Sequence, residues 1–276
     1  MVGSAITRFA PSPTGPLHLG HAYAALVADA RGRMRLRIED IDRARCKPDW
    51  EIAIFDDLRW LGLSWPQPVM RQSERLSFYR QALEKLHILG VIYRCDCSRG
   101  DIRAALSAPQ EGAALIGPDG PVYPGLCRAK GLQAPDAAIR LDMARAMGLV
   151  GPVSFHDSGP DHAGQHCKTA PEMIETIGDI VLARRDLGTA YHLAVVVDDA
   201  AQGITEVTRG ADLFEATAIH VLLQRLLRLP TPAYHHHRLI RDDQGKRLAK
   251  RDDARALAKY RAEGATPQDI RALLGL

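Results

Sequence analysis

The sequence has no long hydrophobic run. Its longest strongly apolar stretch, around Leu193 to Val197, is far too short to span a bilayer. The opening residues, MVGSAITRF, lack a basic start followed by an apolar core, so no secretory leader is expected. Cysteine is scarce, with five unevenly spaced residues in 276. That excludes a disulfide-stapled scaffold and points to a reducing, cytoplasmic setting, where clustered cysteines more often bind metal. A large excess of one charge is also missing, since the formal net charge is +3, so bulk charge alone does not mark a nucleic-acid binder. There is no internal repeat and no sustained heptad pattern.

What is present is a 46% hydrophobic composition, enough for a substantial core in one or two domains. The charge is unevenly spread. From Arg225 to Arg261 there are eleven Lys/Arg against four Asp/Glu, a surplus of seven where the whole chain carries three. Such a surface suits polyphosphate or RNA, and a solvated helical face accounts for it equally well.

Residues 5–10 read as a short strand and PSPTGP, Pro11 to Pro16, as a loop. Leu19 to about Arg33 has helical composition, and Met34, Leu36 and Ile38 alternate with arginines at strand period. Strand, loop, helix and strand make a βαβ unit, hence an α/β fold with a parallel sheet. Helices are expected near Trp50–Leu61 and Ser73–Gly90. From Cys95 the composition shifts toward Gly, Pro and Ala, so 95–171 reads as a smaller inserted α+β domain. AYHLAVVVDD, Ala190 to Asp199, reads as a returning strand, followed by another in GITEVTRGADLF. Asp212 and Glu215 have capping-box spacing ahead of a helix that stops before Pro230, and a short helical segment closes the chain. The expected division is 1–94 with 172–230, then 95–171, then 231–276.

The stretch RFAPSPTGPLHLGH, Arg8 to His21, puts two histidines three apart where a helix begins. A helix N-terminus offers unpaired N–H groups and partial positive charge, so it attracts phosphate. Two imidazole donors there could hold triphosphate oxygens, and a capped core helix is the plainer alternative. RIEDID, Arg37 to Asp42, sets carboxylates at a strand end, where they can receive an ammonium group or a metal. Cys95, Cys97 and Cys127 can supply three thiolates of a tetrahedral zinc site, with one oxygen or nitrogen completing it. His235, His236 and His237 alternate faces of a strand, so they do not converge on a metal and are expected to be structural or RNA-facing.

The form R-F-A-P-S-P-T-G followed by H-x-G-H resembles the HIGH signature of class I aminoacyl-tRNA synthetases, in the version used by glutamyl-type enzymes. RIEDID and YHLAVVVDD resemble further segments of that family in the same order. QGKRLAKRDDA, Gln244 to Ala254, is similar to its KMSKS loop, with Arg247 for the first lysine and Ala249 for serine. The resemblance runs from about Ile6 to Ala254 and implies a Rossmann-like catalytic domain. It implies ATP-binding and catalytic roles for His18, Gly20, His21 and Lys250. It implies a glutamate pocket of Arg8, Ala10, Ser12, Glu39, Tyr191 and Arg209, with Glu39 on the α-amino group. It also implies one structural Zn²⁺ held by Cys95, Cys97, Tyr123 and Cys127, and Mg²⁺ with ATP.

Only about two dozen residues follow Arg251, without the helical anticodon-reading domain of ordinary glutamyl enzymes. The short form resembles the glutamyl-Q subfamily. That implies activation of L-glutamate with ATP without tRNA, then esterification of the cyclopentene-diol of queuosine-34 in the anticodon stem-loop of tRNA(Asp). A cytoplasmic monomer with no membrane association is expected. A truncated glutamyl-tRNA synthetase charging a 3′ end, a non-catalytic zinc-bearing RNA-binding paralogue and a small nucleotidyltransferase remain open at this point.

Overall fold

A computed structural model of the chain describes residues 4–106, 115–241 and 255–276. β1 (Ile6–Phe9) runs into the Pro/Gly loop, α1 (Leu19–Arg31) follows, and β2 (Arg33–Ile38) returns parallel to β1, with Ile6 opposite Arg33 and Phe9 opposite Leu36. The βαβ unit expected from the sequence is there. The turn into β2 requires Gly32, because a Cβ at that position would lie 2.2 Å from the Ala5 carbonyl oxygen. Met34, Leu36 and Ile38 are buried as their alternation predicts, but Arg37 between them is fully buried as well.

α2 (Pro48–Trp60) starts at a proline, whose missing N–H costs nothing in a first turn. β3 (Met70–Arg71) adds a third parallel strand beside β2. A 3-10 turn over Gln72–Glu74 delays α3 (Leu76–Ile88) by three residues relative to the sequence expectation. Then come β4 (Ile92–Cys95), α4 (Arg99–Leu106) and a small hairpin of β5 (Ile116–Gly117) and β6 (Gly120–Pro121). β7 (Ala138–Leu141), α5 (Met143–Val150), the β8 (Val153–Asp157) and β9 (Gly164–Lys168) hairpin, α6 (Ala170–Thr176) and β10 (Val181–Ala183) complete the middle of the chain. β10, β7 and β4 form an antiparallel sheet.

The segment expected as a strand at 190–199 is instead a helix, α7 (Tyr191–Ala201). Its three consecutive valines favour a strand locally. The segment is enclosed nearly all round, with Leu193, Ala194, Val195, Val196, Asp198 and Asp199 buried, so it carries no amphipathic period to read. Burial decided the conformation, and it turns Asp198 and Asp199 toward different neighbours.

β11 (Glu206–Gly210) follows, then a 3-10 turn over Ala211–Leu213 that contains Asp212. α8 (Thr217–Leu227) therefore begins with Ala216 at its N-cap rather than with the expected Asp212–Glu215 box. β12 (Ala233–His237) pairs in parallel with β11 and β8, and β8 continues to β9, giving the order β11-β12-β8-β9. β1 lies beside β11. The Thr205 N–H donates to the Ile6 carbonyl at 2.9 Å, which joins the two parallel halves.

One apolar core lies among α3, α5, α7, α8, β8, β11 and β12, and a second among β1, β2, α1 and α2. α9 (Leu257–Ala262) and α10 (Pro267–Leu274) put Leu257, Ile270 and Leu274 into the second core. No described helix is long and apolar enough to cross a membrane.

Candidate active site

His18 is the N-cap of α1. Its Nδ1 accepts from the Gly20 N–H at 3.1 Å, and the His21 Nδ1 accepts from the His18 N–H at 3.2 Å. Two histidines thus form a reciprocal capping box, a role more often filled by Ser or Thr with Glu. Because both Nδ1 atoms accept, each neutral ring carries its proton on Nε2. The rings stand 3.9 Å apart between centroids. The chain returns to this point later: the Leu257 N–H donates to the Leu17 carbonyl at 2.8 Å, and Ala256 pairs antiparallel with His18. His18, Gly20 and His21 are therefore together, with the stretch that follows 242–254 laid against them. Lys250, with the rest of the KMSKS-like segment, lies outside the described residues.

A cavity of about 150 Å³ opens beside the end of β2, lined by Ser12, Glu39, Asp42, Gln72 and Tyr191 among others. It has room for about five waters at ~30 Å³ each, the scale of an amino acid. The Glu39 N–H is anchored to the Pro11 carbonyl at 3.0 Å, so the Pro/Gly loop and the end of β2 hold each other. Neither histidine of α1 lines this cavity, nor do Arg8, Ala10 and Arg209. Arg8 and Arg209 stand beyond its wall, close enough that their charges act on the Tyr191 phenol, as do those of Glu39 and Asp199.

Behind the cavity is a buried charge network. Arg8 Nε faces Asp199 Oδ1 at 3.3 Å, and its Nη1 donates to the Thr208 carbonyl at 2.6 Å. Arg37 donates from Nη1 to Asp199 at 2.7 Å and from Nη2 to Glu39 at 3.2 Å. Burial works against the Arg37 charge, but Asp199, Glu39 and Asp198 outweigh it and raise its pKa. Burial pushes Glu39 up against the pull of Arg37 and Arg8. Asp199, though also buried, is held below the ordinary carboxylate range by Arg8 and Arg37. Its neighbour Asp198 turns the other way and accepts from Gln72, Arg75 and Tyr79, tying α7 to α3.

Arg209 is held differently. Nε donates to His236 Nε2 at 3.0 Å, Nη1 to His220 Nδ1 at 2.9 Å and Nη2 to Thr217 Oγ1 at 2.8 Å. His236 in turn donates from Nδ1 to the buried Asp157. Burial and the Arg209 charge lower His236 to about 4 and take His220 well below its ordinary value, so both rings are neutral acceptors. Among the described residues no carboxylate pairs with Arg209. Of the three consecutive histidines, His236 thus has a structural place, orienting an arginine. Arg37, Asp157, His220 and His236 were not singled out as site residues from the sequence. Only the position of His236 in a strand and the Asp198–Asp199 pair hinted at buried polar partners.

The cysteine cluster closes as a separate unit. The Sγ atoms of Cys95, Cys97 and Cys127 lie within 4.8 Å of one another, and Cys97 is 3.3 Å from Cys127. The Tyr123 Oη is 3.4 Å from Cys95 Sγ and 3.3 Å from Cys97 Sγ, and it accepts the Cys127 N–H at 3.0 Å. These separations approach the ~3.8 Å edge of a tetrahedron with ~2.3 Å Zn–S bonds, so the donor set fits zinc. Burial disfavours the Cys95 thiolate, but its contacts with the Tyr123 hydroxyl and the Arg140 guanidinium bring the thiol down to about 7. Tyr123 is held protonated by burial and its thiol neighbours, and would have to lose that proton to ligate. Cys46 and Cys167 stand apart from the cluster.

Comparison with known proteins extends this picture. The family model of class I tRNA synthetases (E and Q), catalytic domain, matches residues 4–131 and 139–276. A glutamyl-Q tRNA(Asp) synthetase of Rhodobacter capsulatus is 64% identical in an alignment of 281 positions that covers 98% of this chain and 100% of that protein. A protein of the same name from Symbiobacterium thermophilum is 40% identical, covering 95% of this chain and 83% of its own length. Among solved structures, a glutamate tRNA ligase from Elizabethkingia meningosepticum, in complex with its amino acid, superposes with a TM-score of 0.75 at 28% identity. The match covers 98% of this chain and 60% of the ligase. On the strength of a family model that spans nearly every residue, this chain belongs to the class I tRNA synthetases of the E and Q type, through their catalytic domain.

Proposed function

We propose that the chain activates L-glutamate with ATP and Mg²⁺, without tRNA, and then transfers glutamate to the cyclopentene-diol of queuosine-34 in tRNA(Asp). The observation that carries the glutamate assignment is the charge arrangement at the cavity and behind its wall. Glu39 presents a carboxylate to an amino-acid-sized space, and Arg209 is a buried cation with only neutral partners. An acidic amino acid complements both, with its ammonium at Glu39 and a carboxylate toward the arginines. Ser12, Tyr191 and the backbone at Ala10 complete the proposed pocket. The names of the Rhodobacter and Symbiobacterium relatives support tRNA(Asp) as acceptor.

In the first step the glutamate α-carboxylate attacks the α-phosphorus of ATP in line, giving glutamyl-adenylate and pyrophosphate. In this reading the Nε2–H groups of His18 and His21, at the positive end of α1, would receive developing negative charge. Lys250 would neutralise the departing pyrophosphate. In the second step a hydroxyl of the queuosine diol attacks the adenylate carbonyl and AMP leaves. The protein supplies position and charge rather than a covalent nucleophile. Zinc, held by Cys95, Cys97, Cys127 and Tyr123, would serve structure only.

We take residues 1–94 and 172–230 as the catalytic part, 95–171 as a zinc-bearing insertion and 231–276 as the segment carrying the Lys250 loop. The pairing of β8 with β12 supports narrowing that division, with the hairpin at 153–168 moved out of the insertion and β12 out of the last segment into the catalytic part. The reading includes a cytoplasmic monomer acting on the anticodon stem-loop.

Incubation with radiolabelled glutamate, ATP and tRNA(Asp), with and without queuosine, tests the assignment. Label is expected on the anticodon fragment of queuosine-containing tRNA alone. Label on the 3′-terminal adenosine, or equal label on queuosine-free tRNA, contradicts it.

A further inference from the structure

A line of polar contacts behind Arg209, two hydrogen bonds and then the approach of a histidine to a carboxylate, runs on to the surface. Arg209 Nη1 contacts His220 Nδ1 at 2.9 Å, His220 Nε2 contacts His192 Nδ1 at 3.0 Å, and His192 Nε2 faces Asp119 Oδ1 at 3.5 Å. The proton positions along this line follow from chemistry. A guanidinium can only donate, so His220 Nδ1 must be unprotonated and, in the neutral ring, Nε2 carries the hydrogen. That hydrogen points at His192 Nδ1, which therefore accepts and leaves the His192 proton on Nε2, directed at the Asp119 carboxylate. Each ring has one consistent tautomer, and the carboxylate fixes the far end. Both histidines are buried, while Asp119 is 44% exposed on its side chain.

Asp119 sits in the turn of the β5–β6 hairpin, four residues before Tyr123 of the cysteine cluster. The hairpin is seated closely. A Cβ on Gly117 would come 2.5 Å from the Thr176 carbonyl oxygen, so a side chain there would lift the turn away. We propose that Asp119 is a positioning residue for the amino-acid site, orienting Arg209 through His192 and His220. The inserted segment thereby reports its seating to the pocket 90 residues later in sequence (from Asp119 to Arg209). Without the carboxylate, the buried His192 Nε2–H faces no acceptor, and the ring is no longer held with its Nδ1 toward His220. His220 then has no fixed acceptor for its own Nε2–H, and the arginine loses one of three groups that hold its plane.

The inference rests on Arg209 gripping glutamate, and the test separates the two. Tyrosine and apolar packing around the rings do not depend on Asp119, so Asp119→Ala leaves a folded protein. In glutamate-dependent ATP–pyrophosphate exchange, Asp119→Ala should raise the glutamate KM roughly three- to tenfold, with the ATP KM unchanged. Asp119→Asn, which keeps an acceptor oxygen, should restore most of it. In a His192→Phe background, Asp119→Ala should add nothing further. An unchanged glutamate KM in Asp119→Ala, or additive effects of the two substitutions, overturns the relay. Should the wild type show no glutamate-dependent exchange, the glutamate reading falls. The imidazole ¹⁵N shifts then decide the relay alone: Nε2–H tautomers at both rings in the wild type, with the His192 and His220 resonances displaced in Asp119→Ala, support it, and identical spectra refute it.

Discussion

At the scale of single residues, the site is defined by how each buried charge is answered. Asp199 serves two arginines, Arg8 and Arg37, and neither is replaceable by solvent at that depth. Removing the carboxylate leaves two buried cations without their shared partner, which costs about 3–5 kcal/mol. Asp199→Ala should therefore lower the urea midpoint steeply, and a loss under about 1 kcal/mol would show the network to be dispensable. Arg209 reverses the logic. Its three neutral partners fix its direction without cancelling its charge, which is the state an anion-binding group needs. His236 can do this only as a neutral ring, and its pKa of about 4 keeps it so.

At the scale of elements, β1, α1 and β2 were legible because each obeys a simple local rule. Period-two alternation marks β2, the Pro/Gly loop marks the break, and alanines mark the helix. Gly32 is the hinge of that unit, and Gly32→Ala should destabilise the chain by about 1–3 kcal/mol in denaturant titration, through the clash with the Ala5 carbonyl. Wild-type stability in that variant would mean the β1–β2 junction can shift freely. α7 was not legible, since valines that favour strands were overruled by packing on every side. Arg37 looked like one of three alternating surface arginines, and only the fold shows that β2 runs from exposed Arg33 inward to fully buried Arg37. The three cysteines were legible as a set from their clustering, whereas Tyr123 was implied only by the family resemblance. The histidine line was not, since its members are separated by 73, 28 and 11 positions and carry no shared motif.

At the scale of the whole molecule, the two parallel halves meet where β1 lies beside β11, and the charged network spans that seam. This makes stability depend on pH. The folded state holds His236 neutral down to about 4, while an unfolded histidine protonates near ~6.5. Between those values the unfolded chain binds more protons, so stability is complete above about pH 6.5 and is lost as pH falls toward 4. His220, also lowered, acts in the same direction, and Asp157, held below the usual carboxylate range, keeps its charge through that window. The loss from His236 alone is on the order of 3 kcal/mol at pH 4. Urea titrations at pH 7, 5.5 and 4.5 should show a progressive decline, and a flat profile would contradict neutral burial.

The central claim is that Glu39 and Arg209 together select glutamate. Amino-acid-dependent ATP–pyrophosphate exchange without tRNA, in the wild type and in Arg209→Gln, tests it most directly. The account predicts exchange with glutamate but not with glutamine. It also predicts a rise of roughly 10- to 100-fold in the glutamate KM of the variant, the scale of a lost hydrogen bond to a charged group. Exchange that is absent from the folded wild type, or an unchanged glutamate KM in the variant, would contradict it.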